Sequence, residues 1–345
     1  MTRAEFDVAA QPGLREQLAA VYAEFRAMQA VSQAVLHTPA PGAVVPRENC
    51  PGCAAAVTDA VALFTKHGVV HQQCRQCALV YTAQTLNESA DAAQYDDTAF
   101  MQAYATLKRH PLYARLEQGK ARYYLQQAQQ HHAHLHTVLD IGASTGGVMA
   151  AAQALGLEGY GIEPDRAQAQ HLQSRHGARF ATGYFPQDLP ADWPRFDLVT
   201  LLDVLEHMVE PVSFLRQIRT QLSPDSLLLV QVPNYHSLLV QLEGAANSNF
   251  CVGHWQHFTA QTLSQLLARA GFRTLLTSTC ISELDRIQSS GSEKILATMR
   301  RVLQTQSVRL PAEPDDLYAQ GLGYKLFGLF AVDDGAADAN GSVES

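Results

Sequence analysis

The sequence has no apolar run that approaches the roughly 18 residues needed to cross a bilayer as a helix. Residues 1–13 also lack the apolar core that a secretory signal peptide requires. Basic residues are few, 25 against 33 acidic ones, which gives a net charge of −8 with no basic block. These absences predict a cytoplasmic protein without a membrane span, and they argue against a nucleic-acid partner, which normally needs a basic face.

Cysteine is sparse, and its pattern is not that of a disulfide framework. In a cytoplasmic chain, six cysteines are better interpreted as thiols or metal ligands than as disulfide partners. Four of them form two C-x-x-C pairs, namely Cys50, Cys53, Cys74 and Cys77. We expect the other two, Cys251 and Cys280, to be small buried apolar residues.

The two C-x-x-C pairs can present four thiolates tetrahedrally around Zn²⁺. Between them, residues 69–73 alternate like a strand, and residues 78–81 leave the second pair as another. Four protein ligands leave no open position on the metal, so the zinc would be structural. Because so short a segment buries little core, metal binding would supply its folding energy. A redox-active C-x-x-C is the alternative, which the presence of two pairs disfavours.

A second motif begins where the buried apolar run 138–141 breaks into the Gly-rich turn 142–147, GASTGG. An acid, Glu163, closes the next predicted strand. Small residues in such a turn let backbone N–H groups approach a cofactor, and the acid can bind the two hydroxyls of a ribose. A dinucleotide site would need glycine where the chain has Ser144. An ordinary strand–turn–helix, with glycines for packing, is the plain alternative.

Residues 140–146 resemble instead the D-x-G-x-x-x-G loop of class I S-adenosylmethionine-dependent methyltransferases, whose ligand carries no phosphate. Residues 196–208, FDLVTLLDVLEHM, resemble the fourth-strand motif of that family, and residues 227–234, LLLVQVPN, resemble its fifth strand. The three motifs occur in the order and spacing of the family. The resemblance implies an α/β fold with a Rossmann-like, seven-stranded methyltransferase sheet, and S-adenosyl-L-methionine as cofactor.

The rest of the chain agrees with this architecture. Strands and helices alternate from residue 137 onward, which predicts a parallel sheet with helices on both faces and the ligand at the carboxyl ends of its strands. By the resemblance, the apolar run 323–332 is a seventh strand, antiparallel beside the sixth. The two cysteine pairs resemble the zinc ribbon that some sugar and polysaccharide-pathway methyltransferases carry before the catalytic domain.

We therefore predict several segments. They are an amphipathic helix (14–36) and linker within 1–45, a zinc ribbon (46–84), a helical connector (85–135), a methyltransferase domain (136–332) with a substrate lid in 281–320, and a disordered tail (333–345). The N-terminal helix could pack on the body or on a second subunit, so a homodimer is left open.

The resemblance also implies which residues surround the amino-acid end of the cofactor. Gly142, Ala143 and Gly146 would shape the backbone around the methionine moiety. Asp140 would order its ammonium group. Asp203, just past the fourth strand, would face the same end.

The ribose and adenine contacts follow in the same way. Glu163 would bind the ribose hydroxyls. At adenine the chain departs from the family pattern, because the common acid after Gly183 is missing and Tyr184 and Phe185 stand there. A backbone N–H and ring stacking could contact adenine instead.

Methyl transfer from a sulfonium depends mainly on positioning, and a general base helps when the acceptor is a hydroxyl or a carbon acid. The candidate bases are His207, His254 and His257. The last two lie in residues 253–259, GHWQHFT, which resemble the E-H-x-x-x-F-[ST] motif of the family. Gln256 replaces its usual Glu, and structural or surface roles are the alternative for each histidine.

Asp203, Glu206 and His207, with a later histidine, also resemble the E-x-x-E-H…H metal site of small-RNA 2′-O-methyltransferases. Carboxylates and imidazoles could hold Mg²⁺ or a similar second divalent ion that polarises an acceptor oxygen. The favoured interpretation needs no ion, because D-V-L-E-H also occurs in this superfamily where none is implied. Glu206 and His207 would then cap the following helix and line the cofactor pocket.

The sequence thus predicts an enzyme that methylates a small-molecule substrate, such as a sugar, a nucleotide-linked sugar or another secondary metabolite. Two alternatives stay open. One is methylation of RNA or protein, with the ribbon as a recognition module. The other is a non-catalytic, zinc-stapled scaffold that acts through the N-terminal helix.

Overall fold

The computed structural model describes residues 2–11, 13–19, 23, 27, 42–87, 89–90 and 99–333. Most of the predicted N-terminal helix after residue 19, the predicted linker up to residue 41 and the predicted tail from residue 334 lie outside the described residues. Residues 14–19 are helical, as the pattern predicts.

The strands are numbered in chain order. They are β1 (Val44–Pro46), β2 (Ala60–Lys66), β3 (Val69–Cys74), β4 (Val80–Thr82), β5 (Gln84–Leu86), β6 (Thr137–Ile141), β7 (Glu158–Glu163), β8 (Phe180–Thr182), β9 (Phe196–Leu202), β10 (Leu222–Pro233), β11 (Gln256–His257), β12 (Phe272–Cys280) and β13 (Lys325–Val332).

The α-helices span Ala99–Arg109, Pro111–His131, Gly147–Ala154, Arg166–His176, Pro211–Thr220, Leu238–Glu243, Ala260–Arg269, Leu284–Gln288, Ser292–Leu303 and Pro314–Tyr318. Short 3-10 turns occur at Arg3–Glu5, Val8–Ala10, Val57–Asp59, Gly177–Arg179, Leu205–His207 and Gly244–Ala246. Within the described residues, no helix is both long enough and apolar enough to cross a membrane.

The main sheet has seven strands in the order β12, β13, β10, β9, β6, β7, β8. The strands from β10 to β8 pair in parallel, and β13 inserts antiparallel between β10 and β12. Residues 138–141 of β6 are buried because helices cover both faces of the sheet, which is why this strand is a continuous apolar run rather than an alternating one. The predicted α/β architecture with an antiparallel seventh strand is confirmed.

The strand order indicates where a ligand would bind. From β6 the chain moves to β7 on one side, while β9 pairs with the other side of β6. In open α/β sheets, ligands bind at such a reversal, beyond the carboxyl ends of the strands. The loops that follow β6, β7 and β9 all emerge at this edge.

The four-cysteine segment forms a separate small sheet built on two matching turns. In each turn, the residue after the second cysteine has a positive φ of 60°, at Ala54 and Ala78. The Ala54 N–H donates to the Cys50 carbonyl at 2.9 Å, and the Ala78 N–H donates to the Cys74 carbonyl at 3.0 Å. The same backbone geometry therefore presents both cysteine pairs.

This small sheet includes a strand from the other end of the chain. Its order is β11, β4, β3, β2, so that Gln256 and His257 pair antiparallel with Tyr81 and Val80. Leu79 and Tyr81 lie in one buried apolar cluster with Phe258 of the larger domain. The ribbon is consequently packed onto the body, which the sequence did not indicate because β11 has only two residues.

The predicted lid segment is helical. Its helices at 284–288, 292–303 and 314–318 share an apolar cluster with the helix Leu238–Glu243, which directly follows β10. Whether it closes over a substrate stays a prediction.

Candidate functional site

The turn after β6 has a backbone that requires glycine. Gly142 and Gly146 both have a φ of 77°. A Cβ atom on Gly142 would lie 2.7 Å from Cγ2 of Val204, and one on Gly146 would lie 2.6 Å from Cδ2 of Leu172. The turn is therefore packed against the loop after β9 on one side and against a helix on the other.

Glu163 at the end of β7 holds this turn in place. Its Oε2 accepts a hydrogen bond from the Ser144 N–H at 2.7 Å, and its Oε1 accepts one from the Asp165 N–H at 2.9 Å. Burial raises the pKa of Glu163 to about 7, although these two N–H groups lower it. A carboxylate has about four lone-pair positions, so two stay available for two hydroxyl donors.

Asp140 lies at the same edge, one strand away. It is 3% exposed, and its Oδ1 accepts a hydrogen bond from the Thr200 hydroxyl at 2.7 Å. Burial raises the pKa of Asp140 to about 8, against the lowering effect of that hydroxyl. Two buried carboxyl groups with raised pKa values make this edge suited to a ligand that carries positive charge and hydroxyl donors.

Asp203, just past β9, has a partner that the sequence did not indicate. Its Oδ1 lies 2.6 Å from Nζ of Lys325, the first residue of β13. Burial raises the pKa of Asp203, but Lys325 and Lys120 outweigh burial and hold that pKa below its ordinary value. Asp203 is therefore a charged carboxylate at neutral pH.

A second group of charges comes from the segment predicted as a connector. On the helix Pro111–His131, Lys120 is 3% exposed, and its Nζ lies 3.0 Å from Oε1 of Glu117. A Cβ on Gly147 would lie 3.7 Å from that of Glu117, so this helix packs beside the glycine turn. Sequence reasoning missed these residues because isolated charges on a polar helix carry no spacing signal.

The loop after β8 contains an acid, Asp188, which lies further along the chain than the position that the family pattern gives. Tyr184 is 43% exposed and Phe185 is buried. The Tyr184 N–H donates to Oδ2 of Asp188 at 2.8 Å, and that side chain fills the space where a Cβ of Gly183 would lie. The carboxylate of Asp188, four residues after Tyr184, thus lies against this loop. The sequence pattern did not indicate this contact.

Glu206, His207 and His254 come together beyond β9. One ligand atom from each lies within 4.8 Å of the others. Burial raises the pKa of Glu206 well above its ordinary value, with Asp203 as the next cause, and burial lowers the pKa of His207 to about 4. The expectation that Glu206 and His207 cap the following helix is wrong, because that helix begins at Pro211 after the cap residue Glu210.

His257 is placed differently from the other two candidate bases. It is 4% exposed, and its Nε2 lies 3.1 Å from Nδ1 of His71 in the ribbon. Phe250 packs against both rings. The structure thus pairs His207 with His254, whose ring centroids are 4.7 Å apart, and pairs His257 with the ribbon.

Gln256 explains why this segment is held close to the loop after β9. Its Nε2 donates to the Leu205 carbonyl at 3.0 Å and to the Met208 carbonyl at 2.5 Å. The Trp255 N–H also donates to the Glu206 carbonyl at 2.8 Å. An amide can make the two side-chain bonds because it donates, whereas an ionised carboxylate could not. Position by position, the motif's Glu aligns with Gly253 rather than with Gln256, which corrects the expectation from the sequence.

The four cysteines also come together. Sγ of Cys50 lies 3.6 Å from that of Cys77, and Sγ of Cys53 lies 3.5 Å from that of Cys74. All four sulfurs lie within 4.8 Å of one another, close enough to share one tetrahedral ion. The donor set therefore fits Zn²⁺.

We expect Gln256→Glu to destabilise the protein by roughly 3 kcal/mol, because it loses two buried hydrogen bonds and places a carboxylate against carbonyl oxygens. Urea unfolding measures this loss. The matched control is Gln265→Glu, an exposed position on the next helix with the same charge change. If the two variants are equally stable, the Gln256 amide does not stabilise the loop after β9.

The chain is similar to known proteins over the region that forms this site. A family model described as a methyltransferase domain matches residues 98–277, just over half of the chain. The match begins ahead of the helices at 99–131, so it includes the charged helix beside the glycine turn. No curated protein matches the chain.

Several solved structures are similar at low identity. A putative methyltransferase in complex with the Haloferax volcanii Trm112 methyltransferase activator is 17% identical, covers 67% of this chain and 97% of its own, and has a TM-score of 0.44. An S-adenosylmethionine-dependent methyltransferase from Clostridium acetobutylicum ATCC 824 is 9% identical over 68% and 99%, with a TM-score of 0.44. The 1,6-didemethyltoxoflavin-N1-methyltransferase of Burkholderia thailandensis is 14% identical over 79% and 99%, with a TM-score of 0.44.

The family match covers the sheet edge where the glycine turn, Glu163 and the Asp203–His207 loop meet. The chain therefore belongs to the methyltransferase domain family, and it is an S-adenosylmethionine-dependent methyltransferase.

Proposed function

We propose that the acceptor is a small molecule with a hydroxyl group, such as a sugar or a nucleotide-linked sugar. The observation that carries this proposal is the cluster of Glu206, His207 and His254, which lies just beyond Val204, the residue that packs on Gly142. The sequence has no basic block to make the phosphate contacts that an RNA acceptor would need. A Cys₄ ribbon ahead of the methyltransferase domain agrees with a sugar acceptor.

The cofactor contacts are proposed as follows. When bound, S-adenosylmethionine supplies an electrophilic methyl group on a positively charged sulfur. Glu163 would accept the two ribose hydroxyls, and Asp140 and Asp203 would balance the positive charge of the amino-acid end. Gly142, Ala143 and Gly146 would let the backbone approach it.

The adenine side is proposed to use the loop after β8. Phe185, which is buried, would pack on the ring, and exposed Tyr184 would close over it. The Asp188 carboxylate, which bonds to the Tyr184 N–H, would accept a hydrogen bond from the exocyclic amine.

On the acceptor side, the chain has to position a hydroxyl, exclude water and take up a proton. His207 and His254 each bond through Nδ1 to a backbone carbonyl, so each neutral ring keeps a lone pair on Nε2. With no ion bound at this cluster, either Nε2 could accept the hydroxyl proton. His257, bonded to His71, would hold residues 254–258 in place.

We expect Glu163→Gln to weaken S-adenosylmethionine binding at least tenfold, because an amide oxygen accepts the ribose hydroxyls less strongly than a carboxylate. Isothermal titration calorimetry measures the change. Glu158→Gln is the matched control, since Glu158 begins the same strand at the opposite edge of the sheet. If both variants bind like the parent protein, the pocket assignment is wrong.

The cofactor affinity measured by this titration should rise with pH. The raised pKa of Glu163, about 7, means that the free protein must lose a proton before the ribose can bind. From this group alone, affinity should fall about tenfold between pH 8 and pH 6, and Glu163→Gln should remove that part of the dependence. Without cofactor, the raised pKa adds stability at low pH that is lost as pH rises through about 7.

The acceptor class is tested by transfer of a labelled methyl group. The protein and labelled cofactor are incubated separately with the small-molecule filtrate and with the macromolecular fraction of a cell extract. We expect label in the filtrate products, and less label with the Glu163→Gln variant at the same subsaturating cofactor concentration. Label confined to RNA or protein would contradict the small-molecule proposal.

The cysteine cluster is proposed to hold one structural Zn²⁺. Its four thiolates leave no open position, and the ribbon shares its core with the body. We expect Cys74→Ser to lose one equivalent of bound zinc and to lower Tm by roughly 5–10 °C, as a loss of a few kcal/mol does in a chain of this size.

Zinc content and thermal unfolding measure these effects. The control is Cys251→Ser, because Cys251 lies outside the cluster. It should bind as much zinc as the parent protein. If Cys74→Ser also binds as much zinc as the parent protein, the ribbon assignment is wrong, and the cofactor site is unaffected.

A further inference from the structure

We propose that Glu206, His207 and His254 form a second metal site, which takes a first-row divalent transition-metal ion beside the methyl acceptor. The inference deepens the proposed function and rests on it. The ligand atoms of the three residues lie within 4.8 Å of one another, a span that one central ion can bridge. Among the described residues, this is the one group of metal-ligating side chains besides the four cysteines.

Glu206 is the first reason to place a cation there. The residue is 1% exposed, and neither of its carboxylate oxygens has a hydrogen-bond donor. A buried carboxylate without a donor is costly, and a coordinated ion removes that cost.

The two imidazoles are already oriented as ligands. Nδ1 of His207 lies 2.9 Å from the Gly253 carbonyl, and Nδ1 of His254 lies 2.9 Å from the Asn249 carbonyl. A carbonyl only accepts, so the proton of each ring is on Nδ1 and the lone pair is on Nε2. Metal-binding histidines are commonly fixed in this way by a carbonyl behind the ring.

Asp203 is excluded from the ligand set, which differs from the set that the sequence pattern indicated. Its carboxylate is paired with Lys325 at 2.6 Å. A cation bound by Asp203 would have to displace or repel that ammonium group. The ligands are thus one carboxylate and two imidazoles rather than two carboxylates and two imidazoles.

The site is also held together before any ion binds. The Trp255 N–H donates to the Glu206 carbonyl, and Gln256 donates to the carbonyls of Leu205 and Met208. These bonds join the two chain segments that carry the ligands. Binding an ion would therefore need little rearrangement of the backbone.

The donor set indicates the kind of ion. Imidazoles suit zinc, iron, cobalt or nickel, whereas Mg²⁺ prefers sites made of oxygen. Three protein ligands leave at least one open position, unlike the closed set of four cysteines. His207 and His254 are only half-buried, so the open side can be reached.

An open position would bind the hydroxyl oxygen of the acceptor and lower its pKa, so that its proton leaves to water. A lone pair of that oxygen then forms the new bond to the methyl carbon. The carbon–sulfur bond breaks, and its electron pair stays on sulfur. The two histidines would serve as ligands in this step, and water rather than an imidazole would take the proton.

Co²⁺ titration of the full-length protein that carries zinc at the four cysteines alone tests the site. We expect about one further equivalent to bind, with the weak visible absorption of cobalt in nitrogen and oxygen ligands. A strong thiolate-to-cobalt band should be absent, because the cysteines keep their zinc. Glu206→Gln and His254→Gln should each weaken this binding by about 100-fold or more.

Glu210→Gln is the matched control, since Glu210 lies four residues further on, with a side chain that is 74% exposed. It should bind Co²⁺ like the parent protein. Absence of a second equivalent in the parent protein, or equal binding by Glu206→Gln and His254→Gln, overturns the metal site.

Titration of S-adenosylmethionine into protein whose second site holds no metal distinguishes the metal-site proposal from the proposed function. Normal cofactor binding without Co²⁺ uptake overturns the metal site alone. Loss of cofactor binding in the parent protein would overturn the proposed function as well.

Discussion

The functional edge of this protein depends on the hydrogen bonds between the loop after β9 and the segment 254–257. Trp255 and Gln256 donate to the carbonyls of residues 205, 206 and 208, and the same segment pairs with β4 of the ribbon. One short stretch thus connects the central sheet, the acceptor side and the cysteine cluster. Because its polar groups are buried, a donor lost here cannot be replaced by water, so the geometry of the three parts is coupled.

The ionisable groups at the carboxyl edge of the main sheet form two sets. On the cofactor side, burial raises the pKa values of Asp140 and Glu163, and the nearby hydrogen bonds compensate only partly. A ligand with a sulfonium, an ammonium and two hydroxyls supplies what these carboxyls lack. On the acceptor side, Lys325 compensates Asp203, but Glu206 has no such partner. In our proposals the two halves bind different cations, one belonging to the cofactor and the other a metal ion.

Sequence patterns were most reliable where one local rule decides the outcome. The continuous apolar run 138–141 predicted the buried strand β6, and Glu163 ends β7 as expected. Glycines at 142 and 146 marked the turn because their positive φ favours glycine and their close neighbours leave no room for a Cβ atom. The repeated C-x-x-C spacing likewise predicted the cysteine cluster, since two identical turns present the sulfurs. By contrast, β11 was missed, because two residues carry no period.

The sequence by itself determined the sheet, the glycine turn, the acid of β7 and the approach of four cysteines, because each follows from spacing within one short segment. Only the tertiary structure decided which charges meet. Lys325 reaches Asp203 across 122 positions, His71 reaches His257 across 186, and Asp188 returns to the loop after β8. Such pairs depend on how distant elements pack, and no local periodicity records that packing.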